Sequence, residues 1–350
     1  MNAVASPSET FAALQPKLAK LMPEVEIRIK SEKVYEINRL KAEKSAIILG
    51  HNYMEPALYH GVADIVGDSL QLSRAAAATK HPLIVFLGVR FMAETAKVLN
   101  PTKTVLLPSE RGGCSLASSL TAEDVRALKA RFPGVPVVVY INTYSEVHAE
   151  ADAVCTSSNA AKVVQSFSSK EIIFLPDQFL ASNVAKETGK KIIFPERKEL
   201  SQPKSSPSDT PVMIGWHGKC EVHDQFRVSD IADARAQFPD VYVLAHPECS
   251  PEVVAAADFS GSTSKMIDEV KKSNAKHYLI LTECSMGDNI IAENPGKEVL
   301  RMCHVRCPHM SEITLDDTIL ALKLNRYQIE VPEHVRIGAK RALDRMLSVS

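Results

Sequence analysis

The chain has 350 residues, 45% of them hydrophobic and 24% charged, with a net charge of −1. That balance suits a soluble globular protein and leaves no electrostatic footprint for nucleic acid. No apolar run reaches the roughly 18 residues that a membrane span needs, the N-terminus does not read as a signal peptide, and seven cysteines without an export signal point to a reducing cytosol.

In chain order, the first segment, 1–44, is predicted helical: Val25, Ile29, Val34, Ile37 and Leu40 recur at roughly helical spacing. Four hydrophobic strand-like runs then occur three times. The first set is SAIILG (45–50), ADIV (63–66), PLIVFLG (82–88) and KTVLLP (103–108). The second is PVVVYIN (136–142), DAVC (152–155), EIIFLP (171–176) and KIIFP (191–195). The third is VYVLAH (241–246), AADFS (256–260), HYLILTE (277–283) and EVLRM (298–302). The runs are continuously apolar, as in parallel strands buried on both faces, and helix-like segments separate them. The expected fold class is therefore α/β, with three parallel four-stranded αβα domains at 45–130, 131–211 and 212–310. The Ser/Pro-rich segment 196–211 reads as an insertion joining the second and third domains, and 311–350 as helices that pack back onto the body.

Ligands of open α/β sheets bind beyond the carboxyl ends of the strands, and polar residues crowd those ends. The first strand of each set runs into His51-Asn52-Tyr53, Tyr140-Ile141-Asn142 and His246-Pro247-Glu248. The second runs into Ser69, Ser157, and Ser262-Thr263, each just before a helix. Hydroxyls and free N–H groups at helix starts can hold carboxylates or a phosphate; the alternative is that they are simple N-caps. After the fourth run of each set comes one cysteine, Cys114, Cys220 or Cys307. Three thiolates on one centre suit a [4Fe–4S] cluster with one iron open, and zinc with a nearby histidine such as His223 is the competing reading. Gly112-Gly113 before Cys114 would let the backbone approach a bulky group. Cys155, Cys249 and Cys284 read as small buried hydrophobes, and Cys303 as a weak partner for Cys307.

Eleven motifs between about residues 45 and 325 closely resemble the quinolinate synthase family. Among them are GHNYM (50–54), GDSLQLS (67–73), GVRFMAETAK (88–97), CTSSNA (155–160), LPDQ (175–178), WHGKCEVHDQF (216–226), HPEC (246–249) and RCPHM (306–310). The resemblance implies three αβα domains in pseudo-threefold arrangement around a [4Fe–4S] cluster held by Cys114, Cys220 and Cys307. It also implies condensation of iminoaspartate with dihydroxyacetone phosphate to quinolinate, with loss of phosphate and two waters, in NAD biosynthesis. Ligand contacts carry over to His51, Ser69, Tyr140, Asn142, Ser157, His223, His246, Glu248, Ser262 and Thr263, and Tyr53 matches a tyrosine near the reacting carbons. Some members carry C-x₂-C-x₂-C-P; here His304 holds the middle position, so their disulfide does not transfer.

On chemical grounds, proton transfer falls to His51, His223, His246 and a desolvated Glu248, groups expected to titrate near neutrality. Tyr53, His223 and Glu248 are the expected catalytic residues. An aspartate oxidase is the expected functional neighbour, with no nucleic-acid or membrane partner. Two other classes remain open at this point, a different [4Fe–4S] hydro-lyase and a non-catalytic iron–sulfur sensor; the sensor would need a basic surface or helix-turn-helix pattern that the sequence lacks.

Overall fold

A computed structural model describes residues 6–200 and 210–349. It contains three all-parallel sheets flanked by helices. Sheet one is built from β1 (Ala46–His51), β2 (Ile65–Gly67), β3 (Leu83–Leu87) and β4 (Thr104–Leu106), in the order β2-β1-β3-β4. Sheet two holds β5 (Val137–Tyr140), β6 (Ala153–Cys155), β7 (Glu171–Leu175), β8 (Lys191–Ile193) and β9 (Val212–Ile214), in the order β6-β5-β7-β9-β8. Sheet three repeats the first order with β10 (Tyr242–Ala245), β11 (Phe259–Ser260), β12 (His277–Leu281) and β13 (Glu298–Arg301) as β11-β10-β12-β13. Every residue of β1, β3, β5 and β7 is buried, which is why these runs carry no polar alternation.

One aspartate per unit performs the same local task. Asp64 accepts from the Ile48 N–H, Asp152 from Val137 and Asp258 from Val243, each at 2.8 Å, while the aspartate's own N–H bonds back to the same residue's carbonyl. This reciprocal clasp ties the start of each outer strand to its neighbour and satisfies groups that a short strand would leave unpaired.

Two expectations need correction. The fourth member of sheet two beside β7 is β9, not KIIFP; the latter forms β8, an added edge strand. Residues 196–211 thus connect two strands of one sheet, and a boundary between 211 and 212 would cut that sheet. In the helix Glu24–Glu43 the buried stripe is Ile27, Ser31, Val34, Ile37 and Leu40, while Val25 and Ile29 are 65% and 55% exposed. At about 100° per residue, positions five and nine before Val34 turn to the opposite face.

The C-terminal segments do pack back. Tyr327 exchanges backbone hydrogen bonds with Leu107 beside β4, the helix Leu315–Leu324 packs on Glu24–Glu43, and the helix Glu333–Val349 covers Ser145–Glu150. Glu94 of the GVRFMAETAK motif joins units one and two: it binds Arg90 and accepts from the Ser145 N–H at 2.9 Å.

Candidate functional site

A cavity opens where the carboxyl ends of the three sheets meet. His51, Tyr53 and Ser69 reach it from sheet one, Tyr140, Asn142 and Ser157 from sheet two, and His246, Glu248 and Thr263 from sheet three. Cys114, Cys220, Cys307 and His223 line the same space. Of the residues expected from sequence, Ser262 alone stands back from this lining. It is fully buried, and its hydroxyl points to Asp68 and Ser158.

The plain N-cap reading of the hydroxyls does not hold. Asp68, not Ser69, caps the helix Ser69–Ala78 by accepting from the Leu70 and Gln71 N–H groups at 3.1 and 3.0 Å. The helix Thr263–Lys272 has no side-chain cap bond from Ser262, and the Thr156 turn before the helix Ala160–Gln165 is closed by Asn159. Ser69 and Ser157 therefore face the cavity with hydroxyls that close no helix. Thr263 is held by Asn52 Nδ2 at 2.9 Å, through its Oγ1.

The densest polar contacts surround Glu248, which is 2% exposed. Its Oε2 lies 2.6 Å from His223 Nδ1 and 3.7 Å from His246 Nδ1, and Asn142 Nδ2 donates to Oε1 at 3.1 Å. Burial alone would raise this carboxyl, but the His223 ring and its hydrogen bond, helped by His246 and Tyr140, outweigh it and hold it at about 2. Burial depresses His51 to about 4 and His246 to about 3. These three groups therefore do not titrate near neutrality as expected: the imidazoles stay neutral and the carboxylate stays charged. Burial, then Glu248, raise the Tyr53 and Tyr140 hydroxyls well above their usual value.

A hydrogen-bonded chain runs outward from Glu248. His223 donates from Nδ1 to the carboxylate and meets Thr282 Oγ1 with Nε2 at 2.8 Å; Thr282 Oγ1 lies 2.5 Å from the Tyr53 hydroxyl. Thr282 was missed by sequence reasoning because it sits inside HYLILTE, where it reads as strand.

The cysteines are placed by local structure. Cys114 and Cys307 each precede a four-residue helix, and their carbonyls accept from Ser118 and Ser311 at 3.0 and 3.1 Å. Cys220 follows β9 in a loop fastened to the LPDQ segment, with Gln178 N–H on the Gly218 carbonyl at 2.7 Å. A side chain at Gly218 would meet Ser119 Oγ and the Pro176 carbonyl below 3.0 Å, so only glycine fits. The Gly112-Gly113 expectation fares differently: a Cβ on Gly112 would press on Ile313 and the Ser109 carbonyl, so tight local packing explains that glycine.

Burial raises the Cys114 thiol to about 12, Cys307 to about 11, and Cys220 well above the usual range. Three thiols gathered beside a buried carboxylate ionise only if a cation shares their charge, so the donor set fits a metal centre. The Cys220, His223 and Glu248 ligand atoms also lie within 4.8 Å of one another. Cys155, Cys249 and Cys284 are buried as expected, and Cys303 is exposed with its Sγ 3.1 Å from Cys284 Sγ rather than paired with Cys307.

The family model described as quinolinate synthetase A protein matches residues 35–348. Quinolinate synthase 2 of Mesorhizobium japonicum is 46% identical over 343 residues, covering 98% of both chains. Quinolinate synthase of Agrobacterium fabrum is 46% identical over 97% of this chain and 92% of its own. That of Xylella fastidiosa (strain 9a5c) is 48% identical over 92% and 89%. With the match running across all three sheets and every segment that lines the cavity, the chain belongs to the quinolinate synthetase A family.

Proposed function

We propose that the chain is a quinolinate synthase that condenses iminoaspartate with dihydroxyacetone phosphate for NAD biosynthesis, releasing phosphate and two waters. The observation that carries this reading is one cavity to which each of three sheets brings one cysteine, one polar strand end and one Ser or Thr side chain. Cys114, Cys220 and Cys307 would hold a [4Fe–4S] cluster. When bound, it supplies a Lewis acid on an iron that no thiolate occupies, which polarises a hydroxyl or carboxylate for loss of water.

The chain's own residues do the rest. Ser69, Ser157 and Thr263 anchor the anionic ends of the substrates, with the buried Ser262 behind Thr263 fixing its backbone, so that proximity lowers the barrier. Tyr140 and Asn142 hold Glu248 from one side and His223 holds it from the other, which leaves an ionised carboxylate ready to take a proton from substrate carbon or nitrogen. Through Nε2, His223 connects that carboxylate to Thr282 and Tyr53, whose hydroxyl can deliver a proton to a leaving group. His51 and His246 remain neutral and orient substrate by hydrogen bonds.

No helix among the described residues is long and apolar enough to cross a membrane, and a cytosolic location follows from the need to keep the three thiols reduced. The imino acid is short-lived in water, so functional coupling to an aspartate oxidase belongs to the same reading. The test is an anaerobic assay with both substrates on iron-loaded protein. Quinolinate formation is expected; its absence from protein carrying a full complement of iron and sulfide would overturn the proposal.

A further inference from the structure

Asp68 is 6% exposed and is one of the groups lining the cavity, yet it belongs to no expected site. Its Oδ1 accepts from two backbone N–H groups of its own helix, as described above. Its Oδ2 accepts from Ser158 Oγ of unit two at 2.7 Å and from Ser262 Oγ of unit three at 3.0 Å, and those two hydroxyls are 2.7 Å apart. One carboxylate thus gathers all three units at a point. All four of these partners are neutral, so the negative charge is solvated by hydrogen bonds and not cancelled by them, and Lys265 reaches the knot through the Ser158 carbonyl, at 3.2 Å, not through the carboxylate. The residues next to the three knotted ones in sequence, Ser69, Ser157 and Thr263, are those that turn hydroxyls into the cavity.

We propose that Asp68 is the positioning residue of the anion-holding end of the cavity, with two opposed effects. Its hydrogen bonds hold Ser69, Ser157 and Thr263 at one spot, which favours binding of a phosphate or carboxylate there. Its charge sits beside the same spot and weakens that binding, so the anion, or the inorganic phosphate released from it, leaves readily. The inference rests on the synthase reading for the identity of the anion and on the geometry alone for the role of Asp68.

The two effects separate by substitution. Asp68→Asn removes the charge but keeps a carbonyl for the helix cap, and an amide the serine hydroxyls can meet by rotating. Ser158→Ala and Ser262→Ala keep the charge and remove the braces. Binding of inorganic phosphate and of succinate would be measured by calorimetry on anaerobically purified, iron-loaded full chain. Asp68→Asn is expected to tighten one of the probes about tenfold, since a nearby like charge is lost in a poorly solvated site; the two serine variants are expected to weaken the same probe. Damage to the fold would not produce tightening. The probe that responds tells whether the triose phosphate or the diacid is anchored here.

Unchanged or weaker binding of both probes to Asp68→Asn overturns the proposal, as does failure of both probes to bind any form. Should Asp68→Asn not fold, unchanged affinities in both serine variants overturn it instead. Wild-type protein that makes no quinolinate while the affinities shift as expected would sink the synthase reading and leave the role of Asp68 standing. Active wild type with flat affinities removes Asp68 alone.

Discussion

Replacing Glu248 by Gln tests the core of the mechanism. The carboxylate receives His223 Nδ1–H on one oxygen and Asn142 Nδ2–H on the other, at 2.6 and 3.1 Å. A glutamine amide offers one acceptor and one donor in the same place. To keep both bonds, the Asn142 amide must turn over or His223 must change tautomer, a mismatch felt in a pocket where Glu248 is only 2% exposed. That mismatch costs about 1–3 kcal/mol of local stability. Loss of a positioned proton acceptor costs more, about 10²- to 10⁴-fold in turnover, equivalent to roughly 3–5 kcal/mol of barrier. The variant should therefore fold, retain its iron, and lose at least about a hundredfold in kcat. Iron content by chemical assay and quinolinate formation under anaerobic conditions measure both halves. Turnover within a few-fold of wild type, with iron intact, would remove Glu248 from proton transfer and leave His223 or Tyr53 in that role.

Anaerobically purified protein should be brown with about four irons, and Cys114→Ala, Cys220→Ala and Cys307→Ala should each abolish that absorbance; stoichiometric zinc without colour would refute the cluster. Cys155→Ala should keep the cluster and cost about 1–3 kcal/mol of packing, read by thermal melting. Thr282→Val keeps the shape but removes the hydroxyl that joins His223 to Tyr53 and leaves only their longer direct contact of 3.4 Å, so kcat should fall about tenfold with iron content unchanged; unaltered kcat would show that the path through Thr282 is incidental. Burial holds His148, on the helix Ser145–Glu150, at about 4, and its bond to the Ile141 backbone opposes that only in part. The unfolded chain takes up that proton near the ordinary value of 6.5, so the folded protein loses stability as pH falls from about 6.5 towards 4. The melting temperature should drop between pH 7 and pH 5, and His148→Leu should make the drop shallower; an identical slope would show that other groups govern acid sensitivity.

Much of the site was legible because the chemistry is repeated. Cys114, Cys220 and Cys307 stand out by recurring after equivalent strands, and His51, Asn142 and His246 by closing apolar runs. What stayed hidden depends on direction and distance. Spacing cannot tell that Ser262 points away from the cavity and Thr263 into it, since consecutive residues at a helix start diverge by about 100°. Asp68 reads as an ordinary cap until two serines from other units arrive at the same oxygen. The neutrality of His51 and His246 follows from burial, which only the assembled cavity creates. The strand β9 was hidden for a different reason: three apolar residues between a Ser/Pro-rich stretch and a glycine-rich loop are too short a run to register.

The placement of β9 has a consequence for how the chain acquires its shape on the ribosome. β8 leaves the exit tunnel before β9, yet lies outside it in the finished sheet. While β9 is still being made, the open edge of β7 is available, and β8 is the nearest parallel partner that could occupy it. The native order is reached only when Val212–Ile214 has emerged and intercalates between two strands already present. Unit two is therefore finished late, by residues immediately upstream of Cys220, so a pause that holds Val212–Ile214 inside the tunnel while β8 is already outside would leave β7 open to the wrong partner.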